Sequence, residues 1–228
     1  MENRIKPVTL GVINQLNRAR IRTVMVTGDN LLTAMSVARE CGIVRPNKRA
    51  FLVEHCPGEV DGNGRTKIAV KQVCLLRHSV DVIVIFMLQS VSSSGDILDD
   101  DSVIVKNVKD AELGQLIQSS YHLAISGWEG FRIRPTFAVI THEYPELLDS
   151  LVTVCDVFAR MAPDQKQQLI NCLQEIGYTV AMCGDGANDC AALKAAHAGI
   201  SLSDAEASIA APFTSKVCSV KIDSMSFL

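Results

Sequence analysis

Asp185 and Asp189 lie in one short stretch, Gly184-Asp185-Gly186-Ala187-Asn188-Asp189, directly after the apolar run from Tyr178 to Met182. The run predicts a buried strand. The Gly-Asp-Gly that stops it lets the backbone come close to a ligand, because glycine has no Cβ. Asp189 opens an Ala-rich helix, so both carboxylates are expected to face the space beyond the strand's C-terminal end. Mg²⁺ takes a few hard oxygen ligands together with phosphate and water, and such a loop supplies them. The stretch therefore reads as the Mg²⁺-binding loop of a phosphoryl-transfer enzyme. Gly-Asp-Gly by itself is also a common turn, and acids near a helix N-terminus are favoured by its dipole. The length of the pattern, rather than any single residue, separates the two readings.

Two further polar turns also follow apolar runs. Thr27-Gly28-Asp29-Asn30 comes after Ile21–Val26, and Arg160-Met161-Ala162-Pro163-Asp164-Gln165-Lys166 comes after Cys155–Ala159. In a parallel sheet all three turns gather at one edge, where ligands of open α/β sheets bind. Together they offer a hydroxyl (Thr27), an ammonium (Lys166) and two metal-binding carboxylates (Asp185, Asp189). That set can hold a transferring phosphoryl group. A lone lysine is more often a surface residue; its place in a first helical turn after a strand makes Lys166 a candidate.

The elements that would position these turns alternate in the manner of an α/β fold. Apolar spacing predicts a helix over 7–20, a strand over 21–26 and a helix from Leu31 to Cys41, with Asn30 as N-cap and Gly42 as its stop. Residues 45–120 break the rhythm. Asp61-Gly62-Asn63-Gly64 predicts a hairpin turn, Val80–Leu88 a buried strand, and Ser92–Asp101 a polar loop. The rhythm returns with strands at 121–125, 155–159, 179–183 and 199–202, and helices at 143–151, 163–176 and 187–196. The expected fold is an incomplete parallel sheet with helices on both faces and an irregular insertion. Its parts are 1–44 and 121–216, separated by the 45–120 insertion and followed by a divergent tail, 217–228.

The chain has 228 residues, 48% hydrophobic, with 22 Lys plus Arg against 25 Asp plus Glu and a net charge of −3. No basic stripe points to nucleic acid. The eight cysteines form no C-x-x-C pair, so zinc is not expected. Cys41, Cys155, Cys172 and Cys183 sit in apolar contexts and read as small buried thiols of a reduced, cytosolic setting. The N-terminus is polar, unlike a signal peptide. The longest apolar run, Val82–Leu88, is far short of the roughly 20 residues a membrane helix needs.

The order T-G-D-N, then R-x-x-P-x-x-K, then G-D-G-A-N-D-x-x-A-L-K-x-A-x-x-G-I resembles the phosphorylation domain of P-type ATPases, which has a haloacid dehalogenase-like core. "IRTVMVTGDN", "FARMAPDQK" and "AHAGISLSDAEASIAAPFTSK" look most like the type-five branch, and within it the animal lysosomal or endosomal polyamine and cation transporters. The resemblance implies that Thr27 binds phosphoryl oxygens, and that Gly28, Asp29 and Arg160 line the nucleotide and phosphate site. It implies that Lys166 neutralises phosphoryl charge and Asp185 ligates Mg²⁺ directly, while Asn188 and Asp189 complete the metal and phosphate site. ATP would be the substrate, and a cation or polyamine the cargo, bound by membrane parts that this chain does not contain.

The chain departs from that family in four respects. The family's nucleophile motif, Asp-Lys-Thr-Gly-Thr, does not occur. Residues 128–135, which include the single Trp128, look like an insertion, and 78–90 and 217–228 fit poorly. The expectation is a partial phosphorylation domain, inactive alone because covalent catalysis has no acceptor atom. A stand-alone haloacid dehalogenase-type phosphatase would need an Asp-x-Asp nucleophile on an early strand, and the one such string, Asp99–Asp101, sits in an acidic loop. A catalytically dead binding fragment is the third reading.

Overall fold

The computed structural model describes residues 5–45, 48, 50–73, 106–107, 122–126, 136–184, 187–202 and 211–214. The strand expected at Val80–Leu88, the Asp99–Asp101 run, the 128–135 insertion and the 217–228 tail lie outside them. So does Asp185.

The fold is α/β. Among the described residues, helices α1 (Thr9–Arg18), α2 (Leu31–Glu40), α3 (Thr136–Glu143), α4 (Pro145–Val154), α5 (Pro163–Glu175) and α6 (Cys190–Ala195) accompany nine strands. These are β1 (Met25–Val26), β2 (Ala50–Val60), β3 (Thr66–Val73), β4 (Lys106–Asn107), β5 (His122–Ser126), β6 (Cys155–Ala159), β7 (Ala181–Gly184), β8 (Ala198–Ser201) and β9 (Phe213–Thr214). They form two sheets. The first has the order β1-β6-β5-β2-β3-β4 and the second β7-β8-β9. β1, β6, β5 and β2 run parallel, as do β7, β8 and β9, while β3 and β4 are antiparallel additions.

Side chains alternate across the first sheet, as the strand repeat requires. Leu123, Ile125 and Phe158 face α3, α4 and α5, where they meet Phe137, Ile140, Leu151 and Leu169. Phe137 and Phe158 meet edge-on, with ring centroids 6.2 Å apart, the arrangement that aromatic quadrupoles favour. Ala50, Ala124, Val157 and Ala159 face the other way, onto Leu31, Ala34, Met35 and Ala38 of α2. Small residues on both sides of that contact let α2 approach the sheet closely. Helices thus cover both faces, and each fully buried large side chain contributes roughly 1.5–3 kcal/mol to that packing.

The region after α2 is more regular than its composition suggests. Asp61–Gly64 closes an antiparallel hairpin of β2 and β3, with the Asp61 N–H donating to Arg65 O and the Gly64 N–H to Asp61 O. β2 also pairs in parallel with β5, so the hairpin extends the sheet. Its turn is moored to the α3–α4 junction. The Thr66 N–H donates to Glu143 Oε2 at 2.6 Å, the Tyr144 hydroxyl donates to Thr66 O at 2.7 Å, and Arg65 lies over the Tyr144 ring and pairs with Glu146.

Several expected elements shift. The strand predicted over 21–26 is regular only at Met25–Val26. The apolar run Tyr178–Met182 is not a buried strand: β7 starts at Ala181, its burial alternates between exposed and intermediate, and Tyr178 is 47% exposed. Both strands are edges. Among the described residues β1 pairs only with β6, and β7 only with β8. A strand bonded on one side buries less than a central one. Cys183 is likewise exposed, whereas Cys41, Cys155 and Cys172 are buried. Burial pushes the Cys155 thiol well above its ordinary range, so it stays protonated.

Candidate functional site

Thr27 follows β1, at the C-terminal edge of the first sheet. Its turn is built by backbone bonds to the turn that follows β6. The Thr27 N–H donates to Phe158 O at 2.9 Å, the Met161 N–H to Thr27 O at 2.9 Å, and the Arg160 N–H to Asp29 O at 2.8 Å. The Asp29 N–H donates to Thr27 Oγ1 at 3.1 Å, which leaves the hydroxyl proton free to be given elsewhere. Asn30 Oδ1 accepts the Thr33 N–H at 2.9 Å and caps α2. Gly28 and Asp29 are exposed, as is Arg160. Arg160 has φ +50, a left-handed conformation that disfavours a side chain.

Lys166 stands six residues beyond Arg160, in the first turn of α5. Pro163 begins that helix, and Gln165 Oε1 accepts the Ala162 N–H at 3.0 Å. Lys166 is not on the surface: it is 9% exposed, and its ammonium donates to Asp189 Oδ1 at 2.8 Å. Asp189 is equally buried and closes a 3₁₀ turn, Ala187–Asp189, ahead of α6. Its carboxylate rests against Gly184, where an added Cβ would lie 2.7 Å from Asp189 Oδ2. Gly184 is therefore glycine because Asp189 occupies the space of its side chain. Asn188 is exposed beside it.

The structure thus gathers the candidates into two clusters. Thr27, Gly28, Asp29 and Arg160 form one, and Lys166, Asp189 and Gly184 the other. The β6–α5 connection links them, because it carries both Arg160 and Lys166. An ion pair shielded from water is a strong interaction only when both partners are present; losing one leaves a buried charge. Asp189 keeps one oxygen free of Lys166, and Asn188 adds an amide oxygen. Hard oxygen donors of this kind suit Mg²⁺ better than a softer metal. Among the described residues no three His, Cys, Asp or Glu side chains converge as a metal cluster.

Two features escaped the sequence reading. One is the backbone stitching of the Thr27 turn to Arg160 and Met161, which side-chain identities do not encode. The other is the contact of Asp189 with Gly184, of which the only sequence signal is that glycine.

No family model matches the chain. It does match curated proteins over nearly its whole length. It is 67% identical over 97% of its residues to "Probable cation-transporting ATPase catp-6" of Caenorhabditis elegans. It is 43% identical over 96% to "Polyamine-transporting ATPase 13A3" of Mus musculus, and 41% identical over 97% to "Polyamine-transporting ATPase 13A2" of Homo sapiens. The chain spans only 18%, 16% and 16% of the lengths of those three proteins. Identity of this degree along almost all of the chain makes it a homologue of one segment of the cation- and polyamine-transporting ATPases.

Proposed function

We propose that the chain forms the Mg²⁺- and phosphate-binding part of a P-type pump, at the site where an aspartyl phosphate is made from ATP and hydrolysed to drive transport of a cation or polyamine. The observation that carries this reading is the buried Lys166–Asp189 pair at a strand end, within a sequence homologous to transporting ATPases. Asp189 aims the Lys166 ammonium, whose two remaining N–H groups are free for phosphoryl oxygens. The Thr27 hydroxyl donates to the same group, since its oxygen already accepts the Asp29 N–H. Gly28, Asp29 and Arg160 line the nucleotide side. Asp185, with Asn188 and Asp189, holds Mg²⁺, which would draw off the developing negative charge.

The attacking carboxylate comes from outside these 228 residues. The unshared edges of β1 and β7 favour a place between them for the strand that carries it. In the parent protein this region faces the cytosol, and the parent resides in a late endosomal or lysosomal membrane. Among the described residues no helix is long and apolar enough to cross a membrane.

In the parent, Asp185→Asn is expected to abolish Mg²⁺-dependent phosphoenzyme while the protein still reaches its membrane. Lys166→Ala is expected to slow phosphoryl transfer roughly 10²–10³-fold, as for loss of one preorganised stabiliser. Normal phosphoenzyme formation in Asp185→Asn contradicts the assignment. The 228-residue chain given labelled ATP and Mg²⁺ should take up no hydroxylamine-labile label.

A further inference from the structure

We propose that His122 is a proton-responsive clasp at the base of the first sheet, closed while its imidazole is neutral and opened by acid. His122 is the first residue of β5 and is buried. It lies at the N-terminal ends of the parallel strands, the end opposite Thr27 and Arg160. Its ring nitrogens do different work. Nδ1 lies 2.6 Å from Asp156 Oδ2, and a carboxylate only accepts, so Nδ1 carries a proton. Nε2 lies 3.0 Å from the Arg45 backbone nitrogen, which donates its N–H, so Nε2 is bare. The neutral ring protonated at Nδ1 is the one form that satisfies both partners.

Asp156, on β6, meets Nδ1 through one oxygen. Its other oxygen lies 3.5 Å from the Arg22 guanidinium, which also donates to the Thr153 and Cys155 carbonyls from the segment before β1. β2, the other neighbour of β5, brings uncharged Ala50 opposite His122. Among the described residues, Asp156 is thus shared between the imidazole and the Arg22 guanidinium.

A proton on Nε2 turns an acceptor into a donor that faces the Arg45 N–H. The Asp156 contact survives and the Arg45 contact does not. Acid thus releases the segment after α2 while β5 and β6 stay paired. Val44, next to Arg45, is fully buried in the cluster beneath α2. The release therefore loosens the seat of the helix whose other end holds Asn30 and the Thr27–Asp29 turn.

The test uses the 228-residue chain. Imidazole ¹⁵N shifts of His122 and hydrogen exchange of the Arg45 amide are followed from roughly pH 8 to pH 5, the range in which histidines titrate. At the upper end, Nδ1 alone should be protonated and the Arg45 amide protected. Protonation of Nε2 and an about tenfold loss of protection beyond intrinsic exchange should coincide. In His122→Gln the amide oxygen replaces Nε2 as acceptor and does not titrate, so Arg45 protection should become independent of pH. The proposal is overturned if both nitrogens are protonated at the upper end with Arg45 still protected, or if protection is unchanged while His122 titrates. Persistence of the pH dependence in His122→Gln also overturns it. Should that variant not fold, the ring shifts and amide exchange of the unaltered chain decide.

Discussion

The Thr27 turn and the Lys166–Asp189 pair are the two clusters of candidate residues, yet different bonds hold them. Around Thr27, backbone N–H groups of Thr27, Arg160 and Met161 tie two turns together, and side chains are left over to meet a ligand. Around Asp189, a single ion pair to Lys166 and a close seat against Gly184 fix the geometry. The first arrangement survives most side-chain changes, because every residue but proline supplies the same N–H and C=O groups. The second depends on three identities at once. At Thr27 the candidate side chain is separate from the bonds that build its turn, whereas at Lys166 and Asp189 the candidate side chains are themselves the bond.

The sharpest way to break this comparison is Lys166→Ala. It leaves the Asp189 carboxylate buried without its cation, and a cost of about 3 kcal/mol in urea unfolding is expected. Adding Asp189→Ala should return part of that loss. If the double variant loses the full sum of the single costs, the pair is not coupled and the comparison fails. Gly184→Ala comes next. The new methyl group meets Asp189 Oδ2 at 2.7 Å, and displacing the carboxylate should cost ~1–3 kcal/mol by the same measurement. An unchanged unfolding midpoint would mean that the Asp189 turn gives way easily.

On the Thr27 side the expected effects are smaller. Asn30→Ala removes the cap bond to the Thr33 N–H and should cost about 1 kcal/mol, seen as lower protection of the first turn of α2. Arg160→Gly should reverse the sign. Glycine accepts φ +50 without strain but adds freedom to the unfolded chain, for a net gain of about 0.5 kcal/mol. A loss of stability would mean that the Arg160 side chain supports the fold, and that the turn is not held by its backbone alone.

Much of the fold was legible because it rests on local patterns. The cap at Asn30, the helix opened by Pro163, the strand Cys155–Ala159 and the Asp61–Gly64 hairpin turn are each set by residues close in sequence. The strands flanking that turn were not read, because β2 is fixed by its pairing with β5, about seventy residues away. α3 was missed because Thr136, Phe137, Val139 and Ile140 are all buried, which blurs the one-sided helical repeat. The run at Tyr178–Met182 looks like a core strand by composition, but β7 is an edge, and pairing rather than hydropathy decides exposure there.

By itself, the sequence determined which residues are candidates for chemistry. Thr27, Arg160, Lys166, Asn188 and Asp189 stand in motifs whose spacing survives any folding detail, and the homologous pumps share that segment. Tertiary structure alone decided that Lys166 is buried rather than exposed, that Asp189 is its partner, and that Gly184 makes room for them. The physical reason is distance along the chain. Lys166 and Asp189 are separated by 23 positions, and a contact of that kind exists only after α5 has packed against α6 and the turn before it, and water has left the space between them.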